Sequence, residues 1–160
     1  MDAEIHKIAE EVNARLRLGA LTLATAESCT GGAIAAAITS VAGSSDVFKG
    51  SVVAYSNDVK HRVLGVAQEI LDSEGAVSAA TVEAMAVGVQ RLIGSHCVVA
   101  TSGIAGPGGA VPGKPVGTVW VAIVVGDKRI VRLLTLQDKG RENNICTTVK
   151  NVLSLLLKEI

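Results

Sequence analysis

Aromatic side chains are almost missing from this chain: Phe48, Tyr55 and Trp120 are its only three. A core built without them must come from Val, Ile, Leu and Ala. Net charge is missing too. Fifteen Lys and Arg balance fifteen Asp and Glu, which removes the basic footprint expected of a nucleic-acid binder. No apolar run approaches the roughly 20 residues that a membrane-spanning helix needs, so no membrane partner is expected. The opening stretch Met1-Asp-Ala-Glu-Ile-His-Lys7 is amphipathic and charged, unlike a signal peptide. Cysteine is scarce, odd in number and scattered at Cys29, Cys97 and Cys146. That is a pattern of reduced thiols and points to the cytoplasm. His6, His61 and His96 are equally scattered and show no metal-ligand spacing, so no metal is expected.

What is present is a chain of 160 residues, 49% of them hydrophobic, enough for one domain with its own core. Apolar periodicity predicts helices over 3–18, 31–41, 57–64, 67–73, 78–92 and 141–159, the long one capped by Ser78. Buried strands are predicted over 21–26, 51–55, 96–102 and 117–125, with 129–136 as a hairpin partner across the Gly126-Asp127 turn. Strands alternating with helices, plus one hairpin, predict a three-layer α/β/α fold with a mixed five-stranded sheet. Neither a repeat nor a linker interrupts residues 1–160.

Five segments carry residues suited to chemistry. Thr25-Ala-Glu-Ser-Cys-Thr-Gly-Gly32 reads as a strand, a tight turn bearing a hydroxyl, and the start of a small-residue helix. Ser28 on such a turn is either a nucleophile beside an oxyanion hole or a helix cap. Cys29 is a rival nucleophile with no nearby His to activate it, and a buried thiol is the plainer reading. Tyr55-Ser-Asn-Asp-Val-Lys60 ends a strand and starts a helix, placing Lys60 near a helix N-terminus. The partial positive charge there opposes an ammonium, so a lowered pKa is expected, more so on burial. Ser102-Gly-Ile-Ala-Gly-Pro-Gly-Gly109 is a glycine-rich loop after a strand, able to bring amides to a ligand. The segment 103–115 holds five Gly and all three Pro. Arg141 opens the last helix and is either an anion clamp or a solvated side chain. Gly43-Ser-Ser-Asp46 reads as a helix stop and a polar loop.

Several chemistries are excluded. The Tyr55–Lys60 spacing is not that of short-chain dehydrogenases, and no Gly-x-Gly-x-x-Gly follows the first strand. The glycine-rich loop lacks the Gly-Lys-Ser/Thr ending of a phosphate loop. No Ser-x-x-Lys stands where a penicillin-binding site needs it. In an α/β sheet, ligands bind at the carboxyl ends of the strands. The first three strands end at Ser28, Tyr55 and Ser102, so three segments agree on one site.

Taken in order, the segments 25–32, Ala42-Gly-Ser-Ser45, Val53-Ala-Tyr-Ser-Asn57 with Lys60, Gly75-Ala-Val-Ser78, Ser102-Gly-Ile-Ala-Gly-Pro107 and Lys114-Pro-Val-Gly-Thr-Val-Trp120 resemble the CinA C-terminal domain family over nearly the whole chain. Ile145 and Cys146 stand where members of that family often carry a second arginine. The resemblance implies hydrolysis of the carboxamide of nicotinamide mononucleotide to nicotinic acid mononucleotide and ammonia. It implies a Ser–Lys mechanism without metal or cofactor, in pyridine nucleotide recycling, and it leans toward a homodimer. It places functional residues at Ser28, Ser45, Tyr55, Lys60 and Arg141.

On this basis Ser28 is expected to attack the carboxamide, with neutral Lys60 as base and Ser45 as rival nucleophile. Tyr55 and Ser45 would orient or relay. Amides of Thr30, Gly31 and Gly32, or of the loop from Gly103 through Gly106 to Gly109, would hold the oxyanion. Ser102, the loop and Arg141 would bind substrate, Arg141 on its phosphate. Two readings compete with this one: a non-catalytic nucleotide-binding or competence- and damage-associated module, and an amidase for a different pyridine amide.

Overall fold

Strand alternation sorts the sheet residues onto two faces, and the helices follow. The computed structural model describes residues 2–160. Five strands, β1 (Leu23–Glu27), β2 (Phe48–Val53), β3 (Cys97–Gly103), β4 (Thr118–Val125) and β5 (Lys128–Thr135), lie in the order β2-β1-β3-β4-β5. β1 pairs in parallel with β2 and β3, while β4 is antiparallel to both β3 and β5. Leu23, Cys97, Val99, Val119, Val121 and Ile123 point to one core. Their alternating neighbours Ala24, Ala26, Val98, Ala100, Ala122 and Val124 point to the other.

Helices α1 (Ala3–Leu18), α2 (Ala33–Thr39) and α6 (Arg141–Leu157) cover the first face. Helices α3 (Asn57–Arg62), α4 (Gln68–Glu74) and α5 (Ala79–Ile93) cover the second. Ile5, Ala9, Val12 and Leu16 form the buried stripe of α1, and the Asp2 side chain caps it by accepting from the Glu4 amide. Ser78 caps α5 in the same way through the Thr81 amide. The fold is thus the three-layer α/β/α arrangement with a mixed five-stranded sheet that the element pattern predicts.

Some boundaries move. β2 begins at Phe48 rather than Ser51 and ends at Val53, so Tyr55 lies beyond the strand. The register jumps there: Leu23 pairs with Phe48 but Ala24 with Gly50, leaving Lys49 bulged. Lys49 and Gly50 are poor strand formers, which hides the first half of the strand in the sequence. α2 begins at Ala33 instead of residue 31, because Gly31 and Gly32 adopt φ of 59° and 97° to make the turn. Residues Ser44–Asp46 form a short 3-10 turn in place of a loop.

Small residues govern the second face. With alanines on the sheet, α5 packs close, and Gly88 of α5 receives the backbone of Leu64, just beyond α3. A Cβ at position 88 would stand 1.9 Å from the Leu64 carbonyl oxygen. Gly88→Ala must therefore push α3 away from α5. We expect a loss of about 2–3 kcal/mol from this overpacking, read as a lowered midpoint in thermal unfolding. A midpoint equal to that of the wild type would show that the α3–α5 contact has slack.

Candidate functional site

Ser28, Lys60 and the β3–β4 loop meet at the carboxyl ends of β1, β2 and β3. Ser56 caps α3 by accepting from the Val59 amide, and Lys60 is the fourth residue of this six-residue helix. Its side chain turns back under the end of β2 and is only 2% exposed. There Nζ makes two hydrogen bonds of 2.9 Å, one to Ser28 Oγ and one to the Ala54 carbonyl oxygen. Burial holds Lys60 below the ordinary lysine value of 10.5. The loss of water around the amine is the main cause, the burial part of the expectation from sequence. A neutral amine fits these partners well. In a neutral amine one N–H would serve Ala54 and leave the lone pair to accept from the Ser28 hydroxyl.

Cys29 lies beside them, 7% exposed, and burial pushes its thiol up to about 12. It stays protonated at neutral pH, which leaves it a weak nucleophile. His61 is directed elsewhere, with Nδ1 2.7 Å from the Val66 carbonyl oxygen.

Across the opening, α6 presents Arg141. Its Nη1 donates to the Gly106 carbonyl oxygen at 2.9 Å and its Nη2 to Tyr55 Oη at 2.7 Å. Tyr55 is 60% exposed, so the pair forms a rim over the site. Asn144, one turn further along α6, is buried and donates to the Ala105 carbonyl oxygen and to Asp138. That pins the glycine-rich loop to the helix. These hydrogen bonds, with one from the Gly140 amide, hold the Asp138 carboxyl below its ordinary value. Ser102 donates to the Ala76 carbonyl oxygen at 2.7 Å and so fixes the opposite wall. At Gly106 (φ 81°) a Cβ would stand 2.6 Å from Val116 Cγ1, which explains the glycine in this close turn. The resulting cavity of about 280 Å³ is lined by Ser28, Cys29, Tyr55, Lys60, Ser102, Gly103, Gly106 and Arg141, together with Asn57, Ala76, Val77 and Gly108.

Four of the residues singled out in the sequence do not join them. Ser45 is exposed in the turn that precedes β2, at the amino-terminal end of that strand and away from the carboxyl ends, beside the Arg17–Asp46 pair. Thr30 is buried beneath α2, and neither Gly31 nor Gly32 lines the cavity. The Gly32 amide is taken by Glu27, and the Gly31 amide by the Ser28 carbonyl oxygen. Sequence reasoning missed Glu27, Asn144 and the Ala54 carbonyl. The available signal for Glu27 was a charged residue closing an otherwise apolar strand. Asn144 shows itself only as a polar residue on the apolar stripe of α6. The Ala54 carbonyl leaves no trace in the sequence.

Among the described residues no cluster of His, Cys, Asp and Glu could hold a metal ion, and no helix is long and apolar enough to cross a membrane. A buried Ser–Lys pair at a strand-to-helix turn, within a three-layer α/β/α fold, defines the class of site. The sequence matches the CinA C-terminal domain over residues 5–160, and the chain belongs to that family. It is 46% identical over 135 residues to a CinA-like protein of Shewanella denitrificans, covering 84% of this chain and 32% of that protein. With a CinA-like protein of Synechocystis it shares 53% identity over 116 residues, 72% of this chain and 28% of the other. The chain thus spans about a third of the length of these relatives. Among solved structures it is similar to the competence/damage inducible protein CihA of Agrobacterium tumefaciens, with 38% identity, a TM-score of 0.96, and coverage of 99% of this chain and 96% of that one. The competence damage-inducible protein A of Klebsiella pneumoniae gives 34% identity and a TM-score of 0.93, over 96% of this chain and 95% of the other.

The lowered pKa of Lys60 has a consequence for stability. Its folded value lies below the unfolded 10.5, so between the two the unfolded chain binds more protons and stability rises with pH. Lys60→Met lacks this dependence. In denaturant unfolding, the stability of the wild type relative to Lys60→Met should increase from neutral pH toward pH 10.5. A difference that does not change with pH would mean that the amine is not desolvated.

Proposed function

We propose that this chain hydrolyses the carboxamide of nicotinamide mononucleotide to nicotinic acid mononucleotide and ammonia, with Ser28 as nucleophile and Lys60 as its base. The observation that carries the chemistry is the 2.9 Å contact between Lys60 Nζ and Ser28 Oγ, made by a lysine that burial holds below its ordinary pKa. Membership of the CinA C-terminal domain family supports the substrate through the resemblance set out from the sequence.

Ser28 Oγ attacks the carboxamide carbon while Lys60 takes the hydroxyl proton. The charge that develops on the carboxamide oxygen needs N–H donors. The Gly32 amide is spent on Glu27, which leaves the amides of Gly106, Gly108 and Gly109 in the loop that lines the cavity. Lys60, now protonated, gives its proton to the departing ammonia. Water then enters, loses a proton to Lys60 and attacks the acyl-serine, and Oγ leaves with the proton restored. Two of the guanidinium donors of Arg141 are engaged at the rim, and the others face a phosphate. The Tyr55 ring at the mouth suits the cationic pyridinium. Ser45 takes no part from its place at the amino-terminal end of β2.

The assay is direct: incubate the chain with nicotinamide mononucleotide, add no metal, and measure ammonia. Lys60→Arg should lose roughly 10²–10⁴-fold in kcat, because a guanidinium cannot act as a base near neutral pH. Ser28→Ala should lose at least as much, and Ser45→Ala should keep near-normal turnover. Binding of the mononucleotide without ammonia release would favour a nucleotide-binding module. Equal turnover of free nicotinamide would remove the role given to Arg141.

In the wild type, kcat/KM should rise with pH along a limb that reports Lys60 in the free enzyme, at a value below 10.5. A limb at the ordinary lysine value would separate Lys60 from the proton transfer.

A further inference from the structure

Glu27, the last residue of β1, is fully buried between the sheet and α2, and the reaction above makes no use of it. Its carboxyl is saturated. Oε2 accepts from Thr30 Oγ1 at 2.7 Å, the Ile34 amide at 3.0 Å and the Gly32 amide at 3.1 Å. Oε1 accepts from the Ala35 amide at 2.8 Å and from Thr25 Oγ1 at 3.2 Å, a hydroxyl whose one proton is shared with Ser51 Oγ at 2.7 Å. Since the Thr30 hydroxyl proton goes to Glu27, the 2.9 Å contact of Thr30 with Thr101 has Thr101 as donor. That ties the turn to β3 as well.

Four of the five bonds to Glu27 thus come from residues 30–35, the stretch that follows Ser28. Gly31 and Gly32 make the turn possible, but glycines leave a backbone loose. Ser28 itself is anchored through its own amide, which donates to the Thr101 carbonyl oxygen at 3.0 Å, through its carbonyl oxygen, which accepts from the Gly31 amide of the same turn, and through Lys60. A full set of donors also meets the requirement that a buried acid finds partners for its lone pairs.

We infer that Glu27 is a positioning residue, whose carboxyl clamps the Ser28–Gly32 turn and thereby sets Ser28 Oγ against Lys60 Nζ; this rests on the amidase reading. A misplacement of about 1 Å at a reacting atom can cost roughly 100-fold in rate. Glu27→Gln has the same shape but turns one oxygen into an N–H₂ group facing N–H donors. Its kcat for ammonia release should fall by roughly 10- to 100-fold, while KM changes less than about twofold, since the rim and loop that bind the nucleotide are intact. Thr25→Val removes a bond to the same carboxyl from the strand side and should leave kcat within about twofold. A purely structural role gives another pattern: a lowered unfolding midpoint with normal kcat per folded site, or equal losses in Thr25→Val. Either pattern overturns the inference. Should Glu27→Gln fail to fold, Thr30→Val removes one turn-side bond to the carboxyl, together with the bond from Thr101. A severalfold drop in kcat at constant KM then supports the clamp, and an unchanged kcat overturns it.

A fluorophosphonate probe repeats the comparison without any nucleotide. The Ser28 Oγ–P bond forms as P–F breaks, fluoride leaves and Lys60 takes the proton, with intact-protein mass as readout. If the wild type releases no ammonia yet reacts with the probe, the substrate assignment fails. The clamp is then still judged by whether Glu27→Gln reacts at least tenfold more slowly, an equal rate overturning it. A wild type inert to the probe overturns both.

Discussion

A lysine amine buried against a serine hydroxyl is the constraint around which the other features of the site are arranged. An ammonium in that position would lose most of its hydration and gain only two neutral acceptors, Ser28 Oγ and the Ala54 carbonyl oxygen. The fold supplies the burial from three directions. β2 ends above the side chain, α3 carries its backbone, and the Leu64 backbone just beyond α3 seats against Gly88 of α5. That packing is what lowers the pKa of the amine, and the lowered pKa is what would suit it to act as a base. Packing and chemistry are here one energetic statement.

The site divides into a rigid half and an open half. Glu27, Thr30 and Thr101 lock the serine turn from beneath, with hydrogen bonds that water does not reach. Arg141 and Tyr55 form the rim and are exposed, so their 2.7 Å contact competes with solvent and with any ligand anion. Asn144 and Asp138 sit between the halves and hold the glycine-rich loop against α6. A site of this kind presents fixed reacting atoms and an adaptable entrance.

Much of this was legible in the sequence. The layer order, the mixed sheet and the hairpin follow from alternating apolar runs and turn residues, which are local properties. Ser28, Tyr55 and Ser102 share one sheet edge because parallel strands end on one side. Other features were not legible. The first half of β2 hides behind a bulge at Lys49 and Gly50. A lowered Lys60 pKa was expected from a helix terminus and from burial, but how deeply the amine is buried depends on what packs above it. Ser45 shares a hydroxyl and a polar surrounding with Ser28, but it precedes its strand, whereas Ser28 follows one.

The chain alone determined the order of elements and the menu of reactive groups, because both depend on residue type and spacing over a few turns. Tertiary structure decided which of those groups meet. It chose Ser28 over Ser45 as the partner of Lys60, spent the amide of Gly32 on Glu27, and brought Arg141 across to Tyr55, 86 residues distant in sequence. The physical reason is that hydrogen-bond reach and desolvation act over a few ångströms in space. Sequence separation sets neither of them.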